Sequence, residues 1–311
     1  MITNRIFIKA YPYKPKSIED AVAGDLLCYY NGSLLIYPQT QYGGTPIGVV
    51  VVPTSHNVYG DGSCGVMSLV PMDYNTPDIG GTVEKGIYFG GMDYDTELPN
   101  FTMCPHLGNT ANIQSSIKGV IDEAYLSSDK FTTLQNPYDS DTYYYSETVY
   151  HAPSPYKEDD SRNPQYYQTS SPSADTNALS DFNGKGNTEI LTNLAVRQSD
   201  WKTSSAITNS GEAGYYPAAC CCWRYHTVGT KQGDWYLPSC GEMGYILSKF
   251  TTIQSAILIS GGVTLDHNFV YWSSTDCTPT ANRGINLAKG YVGWADKNFE
   301  RTCRAFIKFR Q

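Results

Sequence analysis

The chain has 311 residues, which is long enough for about two domains that each bury a core. Its formal net charge of −8 leaves no broad basic surface, so we expect neither nucleic acid nor an anionic membrane as a partner. Hydrophobic residues make up 41% of the chain, while 28 Gly, 17 Pro and 26 Tyr favour turns and strands over long helices. The composition therefore predicts a globular α+β fold dominated by strands.

The start of the chain bears on where the protein is made. Its first residues lack the long apolar stretch and the small-residue cleavage site of a secretion signal. No run of roughly 18 apolar residues is present, so we expect no membrane insertion. We therefore expect a soluble protein made in the cytosol.

Nine cysteines occur without any Cys-x-x-Cys spacing, which argues against a structural zinc site. We expect them to be free buried thiols of a protein assembled in a reducing compartment. A disulfide between two C-terminal cysteines is the alternative. The sequence predicts no bound metal and no cofactor.

Residues 1–75 are predicted to form a small β module, either barrel-like or sandwich-like, used for attachment or oligomerisation. Asn31-Gly32 separates two apolar runs and predicts a tight hairpin, because both central residues of a primed turn need positive φ. Val49–Val52 form an unbroken β-branched run, which is typical of a strand buried on both faces. The predicted strands cover residues 24–30, 33–37, 48–53 and 64–70.

The segment Gly60-Asp61-Gly62-Ser63-Cys64-Gly65 matches the spacing of the dinucleotide-binding fingerprint. That fingerprint must open a helix whose amino terminus holds a pyrophosphate, whereas a strand-like run follows here. A turn between two strands is therefore the prediction.

Residues 76–180 are predicted to form an irregular connecting region. Its second half, residues 135–180, is poor in aliphatic side chains and rich in Tyr, Pro, Ser and Asp, so it cannot bury enough apolar surface to fold alone. The alternatives are a long surface loop and an arm that contacts another subunit. The tyrosines available for such contacts are Tyr143, Tyr144, Tyr145, Tyr166 and Tyr167.

Residues 181–311 are predicted to form a second module with a denser core, because they contain all five tryptophans of the chain. Ser239 and Glu242 have the spacing of a capping box, and apolar residues then recur at helical spacing up to Gly261-Gly262. Further helices are predicted near 187–191 and over 218–225.

Three elements of this module carry a family resemblance, namely Trp235-Tyr236-Leu237-Pro238, Tyr271-Trp272-Ser273-Ser274-Thr275 and Arg304-Ala305-Phe306. In this order they resemble the C-type lectin-like modules of bacteria and their phages, including variable proteins diversified by retroelements. The resemblance implies a turn into a helix at the first element and a core strand at the second. At the third it implies a last strand that returns beside the N-terminal strand.

A second resemblance concerns the N-terminal module. Pro46-Ile47-Gly48-Val49-Val50 is similar to the core of small β modules found at the start of Bacteroidales phage and prophage proteins. Together the two resemblances point to binding rather than catalysis.

The tract Asp276–Arg301 is the predicted ligand-binding region. In diversified members of the lectin-like family, the residues between the second and third elements line an exposed face that contacts ligand. Here the tract mixes rigid aromatic side chains with adaptable hydrogen-bonding groups, as antibody paratopes do. The residues expected to bind ligand are Asp276, Thr278, Asn282, Arg283, Asn286, Tyr291, Trp294, Asp296, Asn298 and Phe299. The alternative is that Tyr291 and Trp294 are core residues of ordinary strands.

The sequence gives little support for a catalytic role. Formylglycine-generating enzymes share the lectin-like fold and use cysteines, but their motifs do not match around Cys277 and Cys303. A Cys/His hydrolase could use His226 or His267, yet no third group orients such a pair. The Asp-x-Asp pairs at 93/95 and 139/141 lack a complete calcium-loop pattern and are expected to be solvated. We therefore predict that the protein is not an enzyme.

These observations lead to the hypothesis of a virion fibre or adhesin encoded by a phage or prophage of Bacteroidales. Its N-terminal module would bind virion structural proteins, and its C-terminal module would present a receptor-binding face to a glycan or protein on the host surface. A homo-oligomer is expected, located in the virion after assembly in the host cytoplasm. The alternatives are a head-fibre or capsid decoration protein without receptor binding, and a lectin on the bacterial cell surface.

Overall fold

The computed structural model describes residues 13–90, 181–195, 200–211, 215–266, 268–276, 281–287 and 291–311, together with two short strands at 134–135 and 142–143. Several predictions fall outside the described residues. They concern the tyrosine side chains of residues 135–180, both Asp-x-Asp pairs, Cys104, His267, Cys277 and Thr278. Over the described ranges, every helix falls short of the length and apolar character needed to cross a bilayer.

The chain is mixed α+β, and strands outnumber helices among the described residues. In chain order the strands are β1 (Leu26–Tyr30), β2 (Ser33–Tyr37), β3 (Thr45–Val52), β4 (Cys64–Ser68), β5 (Ile87–Tyr88), β6 (Leu134–Gln135), β7 (Thr142–Tyr143), β8 (Trp235–Tyr236), β9 (Val270–Asp276), β10 (Ala281–Asn286), β11 (Tyr291–Asp296), β12 (Glu300–Arg301) and β13 (Phe306–Phe309). The α-helices are α1 (Gly184–Leu194), α2 (Pro217–Arg224), α3 (Cys240–Ser248) and α4 (Phe250–Ile259). Short 3-10 helices cover Ile18–Asp20 and Thr54–His56. The fold class expected from the composition is confirmed at this level.

The predicted hairpin connects β1 and β2. Tyr30 lies opposite Ser33, and the two turn residues Asn31 and Gly32 have φ of 49° and 84°. Asn and Gly are the residues that adopt this left-handed conformation at least cost, so the turn forms where the sequence places them. The glycine-rich segment between β3 and β4 is also a turn, and a strand rather than a helix follows it. The predicted turn between two strands is confirmed.

The main sheet has six antiparallel strands in the order β2-β1-β3-β4-β13-β8. Ile307 in β13 lies opposite Val66 in β4 on one side and opposite Trp235 in β8 on the other. The expected N-terminal barrel is corrected: the described strands form an open sheet, because β4 pairs with β13 and not with β2. Strands from residues 1–75 and from residues 181–311 therefore share one sheet, while the domain boundaries themselves stay a prediction.

Helices cover both faces of this sheet. Val50 of β3 belongs to a buried cluster with residues of α1 and α2, whereas its neighbours Val49 and Val51 belong to a second cluster with residues of α3 and α4. Successive residues of a strand point to opposite faces, so an unbroken apolar run is needed where both faces are covered. Val49–Val52 accordingly have no exposed surface.

Helix α3 begins at its predicted capping box. The Ser239 backbone N–H and hydroxyl donate to Glu242 Oε2 at 2.7 Å and 3.0 Å. Helix α4 follows after Lys249 and is closed by Gly261, whose φ of 77° suits a glycine after a helix end. Helices α1 and α2 cover the helical segments predicted near 187–191 and over 218–225.

A second sheet carries most of the predicted binding tract. It has three antiparallel strands in the order β11-β10-β9. The Trp272 backbone N–H donates to Thr302 O at 2.8 Å, and the Thr302 N–H donates to Val270 O at 3.1 Å. These bonds fix β9 beside the segment that leads into β13. Trp272 and Trp235 are both fully buried, which confirms that the two indoles are core residues.

Candidate functional site

The ten residues predicted to bind ligand lie mostly along this three-stranded sheet. Asp276 ends β9; Asn282, Arg283 and Asn286 lie in β10; Tyr291, Trp294 and Asp296 lie in β11; and Asn298 and Phe299 follow β11. Thr278 lies outside the described residues, and Asp276, Asn286, Tyr291 and Trp294 are described only as backbone. The side chains that the structure locates are therefore those of Asn282, Arg283, Asp296, Asn298 and Phe299.

Two of the five located side chains are buried. Asn282 has no exposed surface, and its Nδ2 donates to Ser273 O at 2.7 Å and to Arg283 O at 3.0 Å. Arg283 is 3% exposed, and burial lowers the pKa of its guanidinium to about 10. In this structure both side chains support the sheet, and neither is positioned to meet a ligand at the surface. Their residue types alone predict exposure, because charged and amide side chains are rarely fully buried.

Of the five located side chains, the exposed ones are Asn298 and Phe299. They lie in the turn that follows β11, residues 296–299, referred to below as the exposed turn. The Phe299 N–H donates to Asp296 O at 2.9 Å, which closes the turn. Asn298 is exposed, and 48% of the Phe299 surface is exposed. An aromatic ring and an amide thus project into solvent from a hydrogen-bonded turn.

Buried groups on either side hold the exposed turn in place. Lys297 is fully buried, with Nζ 5.6 Å from the centre of the Phe89 ring, and its carbonyl accepts from the Gly90 N–H at 3.1 Å. Gly211 packs against the turn, since a Cβ at this glycine would lie 3.3 Å from Asn298 Cα. The exposed turn is therefore supported by residues 89–90 and by the 207–211 segment.

A short strand pair continues this support beyond the turn. In β12, Glu300 pairs with Tyr88 of β5. Glu300 Oε1 accepts from Asn209 Nδ2 at 3.0 Å, and Asn209 Oδ1 accepts from the Tyr88 N–H at 3.0 Å. The carboxylate and the amide next to the exposed turn are thereby held in fixed orientations.

A buried polar network joins α1, α3 and β9 behind the three-stranded sheet. Asp181 Oδ2 accepts from Asn187 Nδ2 at 2.8 Å and from Thr275 Oγ1 at 2.7 Å. Thr275 Oγ1 in turn accepts from the Cys240 N–H at 2.8 Å. Sequence reasoning missed Asp181 and Asn187, because residues 94 and 88 positions before Thr275 give no local signal for such contacts.

The carboxylate of Glu242 is another buried group that links distant segments. Its Oε1 accepts from the hydroxyls of Tyr59 at 2.8 Å and Tyr236 at 2.6 Å, while Oε2 accepts from Ser239. Burial raises its pKa to about 7, and the hydrogen bonds oppose that shift without cancelling it. Both of its oxygens accept hydrogen bonds from the protein, so the cluster is closed to substrates.

A third buried carboxylate joins two of the family elements. Glu84 Oε1 accepts from Arg304 Nη2 at 2.6 Å and from the Tyr271 hydroxyl at 2.9 Å. Arg304 is fully buried and also donates to Val263 O at 2.6 Å. Arg304 of the third element and Tyr271 of the second thus donate to the same carboxylate.

The described cysteines offer no reactive thiol. Seven of them are free and buried, namely Cys28, Cys64, Cys220, Cys221, Cys222, Cys240 and Cys303. Burial raises the pKa of Cys240 to about 12 and raises that of Cys303 well above its usual value. His226 Nδ1 lies 3.1 Å from the backbone carbonyl oxygen of Arg224. In the described parts of the chain, no group of three or more His, Cys, Asp and Glu side chains could hold a metal ion.

Comparison with known proteins adds little to this picture. No protein-family model matches the chain, and no curated protein matches it. A fimbrial protein from Bacteroides ovatus, of known crystal structure, aligns with 93% of this chain at 16% identity with a TM-score of 0.43. The chain spans 49%, about half, of that protein's length. A likeness at this level carries no conclusion about fold or activity.

Proposed function

We propose that the protein is a phage virion fibre or adhesin whose C-terminal, lectin-like part binds a receptor on the host surface through the exposed turn. The observation that carries the proposal is Phe299, which is 48% exposed on a turn fixed from both sides, next to the exposed amide of Asn298. Rigid aromatic anchors flanked by short polar groups dominate the binding energy of recognition surfaces.

The contacts among the three family elements support the lectin-like part of the proposal. The Ser274 N–H of the second element donates to Pro238 O of the first at 2.7 Å. The second element also bonds to Thr302, two residues before the third element, and Glu84 joins Tyr271 to Arg304. The last strand, β13, pairs with β4 from the N-terminal part on one side and with β8, which contains part of the first element, on the other.

The seven described thiols and the Glu242 carboxylate are buried, which favours binding over catalysis at this face. The polar side chains located in the exposed turn or beside it are those of Asp296, Lys297, Asn298, Glu300, Arg301 and Asn209. Among them, Asn209 donates a hydrogen bond to the carboxylate of Glu300. A carboxylate held by an amide is suited to accepting hydrogen bonds from hydroxyl groups of a ligand. Such an arrangement is suited to orienting a ligand.

The test is binding of fluorescently labelled protein to host cells. The variant Asn298→Ala/Phe299→Ala should lose most cell binding, while its melting temperature stays within about 2 °C because both side chains are exposed. Leu258→Ala is the matched control, since Leu258 is 69% exposed on α4 and its loss removes apolar surface elsewhere. Unchanged binding by the double variant would contradict the proposal and favour a decoration protein.

A further inference from the structure

Arg301 lies beside the exposed turn and lacks a full set of hydrogen-bond partners. Its guanidinium carbon lies 5.4 Å from the centre of the Phe299 ring. Nη1 donates to Glu300 O at 2.9 Å, whereas Nε is buried and has no partner among the described residues. If the guanidinium moves toward an acceptor on a ligand, it breaks one hydrogen bond, the one to Glu300 O. No side-chain acceptor loses its donor in that movement.

The charge of Arg301 is the second relevant feature. In the described ranges no carboxylate forms an ion pair with it, in contrast to Arg304, which is paired with Glu84 at 2.6 Å, and Arg224, which is paired with Asp78 at 2.8 Å. Its neighbour Glu300 points to the other side of the strand, where it bonds to Asn209. Partial burial lowers the pKa of Arg301. A partly desolvated cation without a counter-charge costs free energy, which an anionic ligand would offset.

We propose that Phe299 and Arg301 together bind a carboxylate-bearing sugar. The exposed ring offers a flat apolar surface to the C–H face of a pyranose. The guanidinium supplies charge-assisted hydrogen bonds to the carboxylate of the same sugar. This inference rests on the proposed function and assigns a ligand class to the same face.

The size of the surface favours a sugar over an acidic protein loop. Stable protein interfaces bury on the order of 800 Å² per partner around a cluster of apolar anchors. Among the located side chains at the exposed turn, one exposed ring and one adjacent cation form a compact pair, on the scale of one monosaccharide unit. The acidic protein loop is the alternative that the experiment separates.

The experiment measures binding to immobilised glycans in matched pairs. Glycans that end in glucuronate, galacturonate or N-acetylneuraminate are each compared with the same glycan after its carboxyl group is reduced to an alcohol. We expect the protein to bind at least one carboxylated glycan, and we expect reduction to weaken that binding about tenfold or more. Arg301→Gln should cause a similar loss for the carboxylated glycan and little change for the reduced one.

The control variant is Arg310→Gln, which removes the same charge at an exposed position near the C-terminus. It should bind like the unmodified protein, and both variants should keep its melting temperature. Equal binding of every carboxylated and reduced pair overturns the carboxylated-sugar inference, as does full binding by Arg301→Gln. If host-cell binding depends on Phe299 and is abolished by protease but not by glycosidase treatment of the cells, the receptor-binding function stands and the sugar assignment fails.

Discussion

Replacing Trp272 with Ala tests how the sheet that carries the exposed turn is anchored. The Trp272 side chain is fully buried, its ring centre lies 5.6 Å from that of Phe89, and its Nε1 donates to Ile87 O at 2.8 Å. Truncation of a buried Trp costs about 3–5 kcal/mol, and the Ile87 carbonyl would lose its buried donor. We therefore expect the free energy of unfolding to fall by about 4 kcal/mol.

Urea unfolding measures this loss as a lower transition midpoint with an unchanged slope. Trp272→Phe keeps a ring but removes the donor, so it should cost about 2 kcal/mol, within the range for an unsatisfied buried carbonyl plus a smaller side chain. Trp223→Ala is the control, because Trp223 is only half-buried although its ring centre lies 5.2 Å from that of Trp201. A cost for Trp272→Ala below about 1.5 kcal/mol, or no larger than that of the control, would refute the reasoning.

Three further predictions concern the buried groups and the turns. Burial raises the pKa of Glu242 to about 7 from an ordinary 4.5, so the free energy of unfolding should fall by on the order of 3 kcal/mol from this group as pH rises between these values. Urea unfolding at pH 4.5 and 7.5 measures this fall, and Glu242→Gln should make it smaller. An equal fall in the variant would count against the burial argument. Gly44→Ala places a methyl group against a backbone carbonyl at a φ of 78°, whereas Gly60 has a φ of 68° with open space around it, so Gly44→Ala should cost at least about 2 kcal/mol more than Gly60→Ala. With a thiol reagent under native conditions, at most Cys104 and Cys277 should react rapidly, since the seven described thiols are buried, and fast labelling of three or more would contradict the structure.

Local sequence signals predicted the parts of the fold that short segments determine. Asn31-Gly32 predicted the hairpin because few residues adopt its backbone conformation. Ser239 and Glu242 predicted the start of α3 because the Glu242 carboxylate accepts hydrogen bonds from the backbone N–H and the hydroxyl of Ser239. The buried strand β3 was predictable because a strand covered on both faces must be apolar throughout. These elements required no knowledge of the rest of the chain.

Long-range pairing was not predictable in the same way. Nothing in Cys64–Ser68 indicates that its partner is Phe306–Phe309. A separate barrel-like or sandwich-like N-terminal module was therefore expected, where the structure has an open sheet completed by β13. The pairing joins strands that are more than 200 residues apart in the sequence, and contacts at that separation leave no local pattern.

The binding tract shows the same limit at the level of single side chains. Asn282 and Arg283 were predicted to be exposed from residue type, yet tertiary hydrogen bonds and packing bury them in β10. Arg301 was not singled out in the sequence, although it follows Phe299 by two residues and strand alternation places such residues on one side. Alternation around an exposed aromatic residue is the signal that could have found it.

Competition for adsorption tests the central claim most directly. The phage particles that the proposed function implies are mixed with host cells in the presence of excess purified protein, and unadsorbed particles are counted. The unmodified protein and Leu258→Ala should block adsorption in proportion to their concentration, whereas Asn298→Ala/Phe299→Ala should not block it at any concentration tested. Failure of the unmodified protein to block adsorption, or equal blocking by the double variant, would contradict receptor binding through the exposed turn.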